Sequence, residues 1–495
     1  MSRTRKAPVT QRHQSSGLRL ARTARNIVVL AAISRLFAQS PPVSSTRPWH
    51  SSEEQETIRD AQRFHRPTVR IEPGKIYSLT ELIDLAEAHN PETRVAWQNA
   101  IAQAASLGIA RSELFPTLSA VAAAGVDRQD AALGSGFYPQ TSPNFQISLN
   151  LNYTIFDFGA RRGRIEAERA RLLAANFTFN DVHRQLIFDV MQAYYRLVNA
   201  AGQEEAARAN LVNAQNVQQA AEERLRNGLA TLPDVLEARS ATAQAQYALQ
   251  AVLGAEQIAQ GDLLTFLGAS VRTPIRVQPL SELAMANSIS DTVDEAIHRA
   301  FEQRPDLQAR AAEIRVAGAE RKEARSAFYP RLSANASPTA QSLHLLQQNF
   351  PWGHRTDIAG SAAFNLNWTV FDGGARRNRV EQAEAHIRGA EARIAATRDR
   401  IEDQVWTAYT NLNTTFRQRE AAAALLTAAT ESYSAALESY DYGVRNLLDV
   451  TNAQKVLAEA RSTDILARTQ VLSALADLAF RTGDAIQVNT RRTRP

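Results

Sequence analysis

The sequence predicts an internally duplicated α+β membrane protein that combines four β-strands with very long coiled-coil helices. Residues 150–164 read NLNYTIFDFGARRGR, and residues 365–379 repeat them as NLNWTVFDGGARRNR. In both copies apolar and polar side chains alternate up to an Asp, and a long helical pattern follows. Other Pro, Asp and Gly landmarks of the two halves are also separated by 214 or 215 positions. A shared offset of this kind indicates one structural unit that has been duplicated.

The composition excludes several classes of functional site. None of the 495 residues is Cys, which excludes disulfides, thiolate zinc sites, a Cys nucleophile and a lipid-modified N-terminal Cys. The formal net charge is +5, but residues 1–70 hold 13 of the 56 basic and only 4 of the 51 acidic residues. Because the remainder is slightly acidic, we expect no nucleic-acid binding by the body of the protein.

The two termini are predicted to lie outside the duplicated unit. Residues 1–38 combine many Arg with the apolar run IVVLAAI and predict a signal peptide, with a basic tail as the alternative interpretation. Residues 39–75 are rich in Ser, Pro and Arg and predict a flexible linker, and residues 485–495 predict a disordered tail. No run of about 18 apolar residues occurs, so any membrane span is expected to be built from strands.

The first repeat covers residues 76–289. It begins with a capping-box pattern at Ser78 and Glu81, and Pro91 restarts the helix. Its two strands are expected to be joined by a loop at 126–143, which carries Gly, Pro, Ser and Asn. The predicted elements are helices 78–115, strands 117–125 and 144–156, and long helices 158–227 and 232–267.

The second repeat, residues 290–484, follows the same plan, with a restart at Pro305 and a loop at 338–357. Its predicted elements are helices 291–328, strands 331–337 and 358–371, and long helices 373–441 and 446–482. A helix of roughly 70 residues would span about 105 Å. Small Ala residues recur on these helices at steps of three and four, which is typical of a coiled coil with closely spaced backbones.

Each strand-to-helix joint is marked by an Asp followed by a Gly, namely Asp157 with Gly159 and Asp372 with Gly374. Both Asp residues stand where a helix N-cap belongs, because a carboxylate oxygen can accept hydrogen bonds from the unpaired backbone N–H groups of the first turn. We therefore interpret the joint residues as structural.

The strongest strands alternate apolar side chains with uncharged amide and hydroxyl side chains over about 10 to 13 residues. This length suits a tilted membrane-spanning strand, and the uncharged polar face suits a wet channel interior. A soluble, half-buried sheet is the alternative interpretation. Four strands in lipid would leave two unpaired edges, so a membrane-spanning sheet requires more than one copy of the chain.

Residues 76–484 resemble the TolC family of outer-membrane efflux channels. The resemblance depends on the duplication, the NP and RPD helix restarts, the two FDxGARR joints and the Gly-containing turns between the long helices. It implies a homotrimer with a 12-stranded transmembrane β-barrel in the cell outer membrane and an α-helical tunnel through the periplasm. It also implies docking to a periplasmic adaptor protein and an inner-membrane transporter. Many members carry a lipidated Cys anchor, which this chain lacks.

The turns that join the long helices are the second region to which the resemblance assigns a function. It implies that Tyr440 and Arg445 bond to Asp234 on the neighbouring turn and hold the periplasmic end closed. It also implies an acidic ring at Asp449 that favours cations, although this chain has Asn452 at the family's second acidic position. Ordinary solvated charges on two helix–turn–helix tips are the alternative. The turn residues implied to dock the adaptor are Gly228, Leu229, Gly443 and Val444.

No pattern in the sequence indicates catalysis or a cofactor. The nine His residues have no ligand spacing, and no phosphate-binding loop or dinucleotide fingerprint occurs. We therefore expect a channel that exports small molecules and is not an enzyme. The same channel serving protein secretion, and a periplasmic coiled-coil scaffold protein, remain the alternatives.

Overall fold

The computed structural model describes residues 45–46, 54–63, 69–133, 136–285, 292–347 and 353–484. The chain divides into two compact units, residues 1–68 and 69–495. The predicted signal peptide (1–38) and the predicted tail (485–495) lie outside the described residues. In the first unit the described residues include one helix, α1, at Glu54–Arg63.

The prediction of a flexible linker at 39–75 is wrong for residues 54–63 and 69–75, the parts of its second half that the structure describes. The helix α1 carries acidic residues in its first turn and Arg63 in its last, an arrangement that favours helix formation through the helix dipole. In the second unit, Val69 forms a parallel bridge to Ala269, and Ile71 is buried in the main core. The high content of Ser, Pro and Arg in this segment concealed these local signals.

The elements of the second unit follow the duplicated plan. The first repeat comprises β1 (Ile76–Tyr77), α2 (Leu79–His89), α3 (Pro91–Ser112), β2 (Thr117–Leu133), β3 (Gly136–Phe156), α4 (Ala160–Arg226) and α5 (Leu232–Leu267). The second comprises β4 (Arg276–Val277), a short 3₁₀ turn at Leu280–Glu282, α6 (Val293–Gln303), α7 (Pro305–Ser326), β5 (Arg331–Gln347), β6 (Gly353–Asn367), α8 (Ala375–Asp441) and α9 (Leu447–Thr482).

The long strands form one antiparallel sheet in the order β2-β3-β5-β6. The two hairpins β2–β3 and β5–β6 are joined along β3 and β5, so β2 and β6 are the open edges. A second, two-stranded sheet pairs β1 with β4 in parallel. The four predicted strands are thus present, and among the described residues their pairing leaves two edges without a partner in one chain.

The loops predicted at 126–143 and 338–357 are wrong, because the strands continue through most of both segments. The hairpin β2–β3 stays in register from Thr117 opposite Asn152 to Leu133 opposite Gly136. Gly, Pro and Ser weaken the local strand signal, whereas backbone pairing with a neighbouring strand does not depend on the side chain. The opposite deviation occurs in β6, which ends at Asn367 and not at the predicted Phe371.

The long helices match their predicted bounds to within two residues. The helices α4 and α8 each have 67 residues, and α5 and α9 each have 36. A helix of 67 residues spans about 100 Å. The helix α4 packs against α3, α5, α7 and α9, and α8 packs against α6, α7 and α9. The shorter helices α3 and α7 thus complete the helical layer beside the strand ends, as predicted.

Several clusters of buried side chains hold the helices together, and two of them lie at the middle and at the far end of the long helices. The larger lies midway along α4, where Val190, Tyr194 and Leu197 pack with Leu263 and residues of α2. The smaller lies at the far end of the helices and joins both helical hairpins, since Val217 and Val235 of the first pack with Leu447 and Val450 of the second. Among the described residues, no helix is both long and apolar enough to cross a membrane.

Candidate functional site

At both strand-to-helix joints, one Asp carboxylate caps the long helix that follows. Asp157 accepts hydrogen bonds from Gly159 N at 3.2 Å, Arg161 N at 3.0 Å and Arg161 Nε at 2.8 Å. Asp372 makes the equivalent bonds to Gly374 N at 3.2 Å, Arg376 N at 3.0 Å and Arg376 Nε at 2.9 Å. Both Asp residues therefore satisfy orphan N–H groups, as predicted.

The predicted N-cap position is wrong by two residues at both joints. The N-cap residues are Gly159 and Gly374, with φ of 94° and 90°, conformations that L-residues rarely adopt. The Asp side chains reach the first turn from two positions earlier. The capping groups were predicted correctly from the sequence. Capping preference alone does not predict the left-handed Gly that lies between each Asp and its helix.

The first joint is also tied to the helix that precedes the sheet. Arg161 donates to Glu113 O at 3.1 Å, and Arg164 forms a forked ion pair with the Glu113 carboxylate at 2.7 and 2.8 Å. Arg164 also donates a hydrogen bond to Glu323 of α7 at 2.8 Å. These contacts fix the direction in which α4 leaves β3, because they join three separate segments at one point.

The two turns at the opposite end of the long helices, together with the helix ends that flank them (residues 224–235 and 439–450), are called the tip. Gly228 and Gly443 have φ of 72° and 73°. In each turn the next residue closes the helix end, with Leu229 N donating to Arg224 O at 2.7 Å and Val444 N to Ser439 O at 2.8 Å. The predicted docking turns therefore present Leu229 and Val444 to solvent, with 73% and 78% of their surface exposed.

The two tip Asp residues differ in what they contact. Asp234 accepts bonds from Thr231 N at 2.8 Å and Thr231 Oγ1 at 2.7 Å and so closes a capping box on α5. The Thr231 hydroxyl, and then its amide, lower the pKa of Asp234 below its ordinary value, so this carboxylate is ionised at neutral pH. In α9 the capping group is Asn446, whose Oδ1 accepts from Asp449 N at 2.9 Å.

Within one chain, the structure does not bring the residues of the predicted closure together. Among the described residues, no hydrogen bond or ion pair joins Asp234 to Tyr440 or Arg445, and the side chains of Arg445 and Asp449 make neither kind of contact. Arg445 is exposed and Asp449 is half-buried. These two side chains are thus available for contacts with another copy of the chain.

Arg224 is a residue of the tip that was not predicted from the sequence. Its guanidinium lies 4.2 Å from the centre of the Tyr440 ring, and it donates to Tyr440 O at 2.7 Å and Asp441 O at 3.4 Å. It therefore satisfies carbonyls at the end of α8 and links the two helical hairpins. A basic residue in the last turn of a helix is a recognised signal for carbonyl capping, but that signal points to its own helix and not to α8.

Among the described residues, no group of three or more His, Asp or Glu side chains is arranged to hold a metal ion. Residues 82–269 and 296–484 match the family model described as outer membrane efflux protein. This chain belongs to the outer membrane efflux protein family. Both matched segments fall within the two repeats, so the family model covers the duplicated unit twice.

Curated relatives align over most of the chain. The outer membrane protein OprJ of Pseudomonas aeruginosa is 27% identical over 401 residues, which cover 81% of this chain and 82% of OprJ. Protein CyaE of Bordetella pertussis is 28% identical over 403 residues, covering 81% and 83% of the two chains. The toluene efflux pump outer membrane protein TtgF of Pseudomonas putida is 27% identical over 414 residues, covering 80% and 81%.

Solved structures show the same fold. The outer-membrane channel OprN superposes with a TM-score of 0.72 at 19% identity, over 90% of this chain and 98% of its own. The outer membrane protein VceC of Vibrio cholerae superposes with a TM-score of 0.68 at 20% identity, over 88% and 99%. This member of the outer membrane efflux protein family is an outer-membrane channel protein, with the α+β fold predicted from its sequence.

Proposed function

We propose that three copies of this chain form a continuous exit duct that carries small molecules out of the cell together with a periplasmic adaptor and an inner-membrane transporter. The observation that carries the proposal is the open four-stranded sheet continued by helices about 100 Å long. The strands supply a wall in the outer membrane, and the helices extend it through the periplasm. Relatives named as toluene and solvent efflux pump proteins support small molecules as the exported class.

The tip is the proposed docking site for the adaptor. Leu229 and Val444 are exposed apolar side chains at the two turns, each beside a Gly that reverses the chain. Leu232 and Tyr442 of the same two turns are exposed too, and groups of exposed apolar residues rimmed by polar ones are typical of protein–protein contacts. Because the helix ends beside both turns pack into one buried cluster, an adaptor that binds one turn contacts a surface held together by both hairpins.

Export should fail when the tip is made acidic. In cells that lack the native gene, we expect Val444→Asp or Leu229→Asp to leave ethidium accumulation at the level of the empty vector, whereas the wild-type chain lowers it. Tyr247→Asp, at a side chain of α5 with a similar exposure of 79%, is the matched control and should restore efflux. Normal efflux by both tip variants would contradict adaptor docking at these turns.

We further propose that Asp234 of one copy pairs with Tyr440 and Arg445 of the next and narrows the periplasmic end, where Asp449 lines the constriction. Arg445 is an exposed cation, and Asp234 keeps its charge through its Thr231 contacts. An interaction between neighbouring copies accounts for an Arg without a partner within the described chain. Three such pairs would resist widening of the end, since opening separates opposite charges.

Planar-bilayer recording tests the constriction. Both Arg445→Ser and Asp234→Ala should raise single-channel conductance at least severalfold, because each removes one partner of the pair. Asp234→Ala also removes the capping box, so Thr231→Ala is the matched control, as it weakens the cap and keeps the carboxylate. Conductance that is unchanged in both charge variants, or raised equally by Thr231→Ala, would overturn the pairing.

A further inference from the structure

The two hairpins of the sheet obey the repeat offsets residue by residue. Thr117 of β2 lies opposite Asn152 of β3. Adding 214 to the first and 215 to the second position gives Arg331 and Asn367, which are opposite each other in the hairpin β5–β6. The offsets were taken from the Pro, Asp and Gly landmarks. Applied to the observed register of the hairpin β2–β3, they reproduce the observed register of the hairpin β5–β6.

Within the part of the chain that the structure describes, the junction between β3 and β5 has no counterpart. In this junction Leu151 lies opposite Ala336. Moving Leu151 forward by 215 positions gives Leu366 on β6, and moving Ala336 back by 214 gives Ala122 on β2. Since β2 and β6 are the two open edges, this pair can form only between copies. We infer that β6 of one copy pairs antiparallel with β2 of the next in the register that sets Leu366 opposite Ala122.

The two faces of the sheet support this register independently of the repeat. Ile147 of β3 lies opposite Ala122 on one side and Ala340 on the other, and Ala340 lies opposite Ile358. Ala122 and Ile358 therefore share the apolar face, and Leu366, eight positions after Ile358, lies on it too. The inferred pair joins residues of the same face, whereas a slip by one residue would set apolar against polar side chains.

The early end of β6 is explained by the same missing neighbour. In β3, Tyr153 and Thr154 remain in the ladder because they lie opposite Ala334 and Ser333 of β5. The equivalent residues, Trp368 and Thr369, lie beyond the end of β6. In the inferred register they face Ala120 and Ser119 of the next copy, which would extend β6 to the end predicted from the sequence. The exposed side chains of Val370 and Phe371 would be covered in part.

One of the helices next to these strands also lacks a neighbour that its repeat counterpart has. The helix α7, which precedes β5, packs between α4 and α8. Its repeat counterpart α3, which precedes β2, packs on α4 and leaves Val95, Trp97 and Ile109 exposed. Pairing β6 with β2 of the next copy places α8 beside that copy's α3. The partner for this edge is thus a second copy of the same chain, joined through strands and helices in succession.

Cysteine pairs test the register, because the natural chain contains none. In β3 and β5, Ser337 Oγ donates to Asn150 Oδ1 at 2.8 Å across the ladder. The equivalent pair between copies is Ala123 with Asn365. We expect the full-length double variant Ala123→Cys/Asn365→Cys, oxidised in isolated outer membranes, to run as covalent dimers and trimers on a denaturing gel and as monomers after reduction.

The matched control is Ala122→Cys/Asn365→Cys, in which one Cys is moved by one residue to the other face. It should give no covalent product, because a disulfide requires side chains that point toward each other. A bridge within one chain is excluded in both variants, since the two edges are three strand spacings, about 14 Å, apart. Single Cys variants should remain monomeric on the gel.

The inference depends on the proposed trimer, and the two can fail separately. Wild-type chain of single-copy mass in detergent would refute the trimer and the strand pairing together. A wild-type trimer in which the control pair cross-links, or in which Ala123→Cys/Asn365→Cys does not, would refute the register and leave the trimer standing. Maleimide labelling of the reduced double variants confirms that both thiols are accessible to the oxidant.

Discussion

Replacing Arg224 by Ala is expected to accelerate hydrogen exchange at the tip by at least tenfold. The guanidinium donates to two carbonyls at the end of α8 and lies over the Tyr440 ring. Hydrogen bonds from a charged donor contribute about 1.5–3 kcal/mol, and the ring contact about 0.5–1 kcal/mol. A loss of about 1.4 kcal/mol already corresponds to tenfold more opening. The amides of Gly443 and Val444, which close this turn, should report the change.

The control for this variant is Arg226→Ala. Arg226 stands in the same last turn of α4, but its side chain is 73% exposed and its ion pair with Glu223 is 3.9 Å long. Exposed pairs of this kind contribute little to stability, so exchange should stay near the wild-type rate. Equal exchange rates in the two variants would show that Arg224 does not hold the hairpins together.

Replacing Gly163 by Val is expected to destabilise the region where α4 approaches α7. A Cβ atom at Gly163 would lie 2.8 Å from Glu323 N and 3.1 Å from Ala319 O. Both neighbours are backbone atoms of α7, so the helices must separate. Overpacking of this kind costs about 1–3 kcal/mol. Separation would also stretch the Arg164–Glu323 ion pair, which is 2.8 Å long. Thermal unfolding followed by circular dichroism in detergent should therefore show a lower midpoint.

Gly389→Val separates this effect from the general cost of changing a helical Gly. Gly389 lies in α8, and a Cβ atom there meets nothing within 4 Å. Its counterpart in the first repeat is Ala174, so a side chain is already accommodated at the equivalent position. Because Val has a better helix propensity than Gly, the midpoint should be unchanged or higher. A fall as large as that of Gly163→Val would contradict the close-approach explanation.

The helices were predictable because their signals are local. Pro91 and Pro305 restart helices, Gly228 and Gly443 end the two longest ones, and no Pro interrupts either of these two helices. The strand ends were not predictable in the same way. Strand length is decided by which neighbour supplies the next backbone partner, and that neighbour is distant in sequence. The same reason explains why the strands exceed their predicted length in the hairpins and why β6 ends early.

In the candidate site, too, local contacts were predictable from the sequence and distant contacts were not. The Asp157 and Asp372 contacts span two to four residues, and capping preference alone found both. The Arg224 contact to Tyr440 spans 216 residues, so no local sequence pattern predicts it. The residues assigned to the constriction depend on family resemblance, and within one chain they remain apart. Residues whose partners lie on another copy cannot be recognised from local sequence or from one isolated chain.

The most direct test of the three-chain channel is the mass of the protein extracted from outer membranes, measured by light scattering with the detergent contribution subtracted. We expect particles of three chains, each of at most the 54.5 kDa of the full sequence. These particles should be recovered from the outer-membrane fraction. A single-chain mass, or recovery of the chain only from the periplasmic fraction, would contradict the claim that three copies together form the channel.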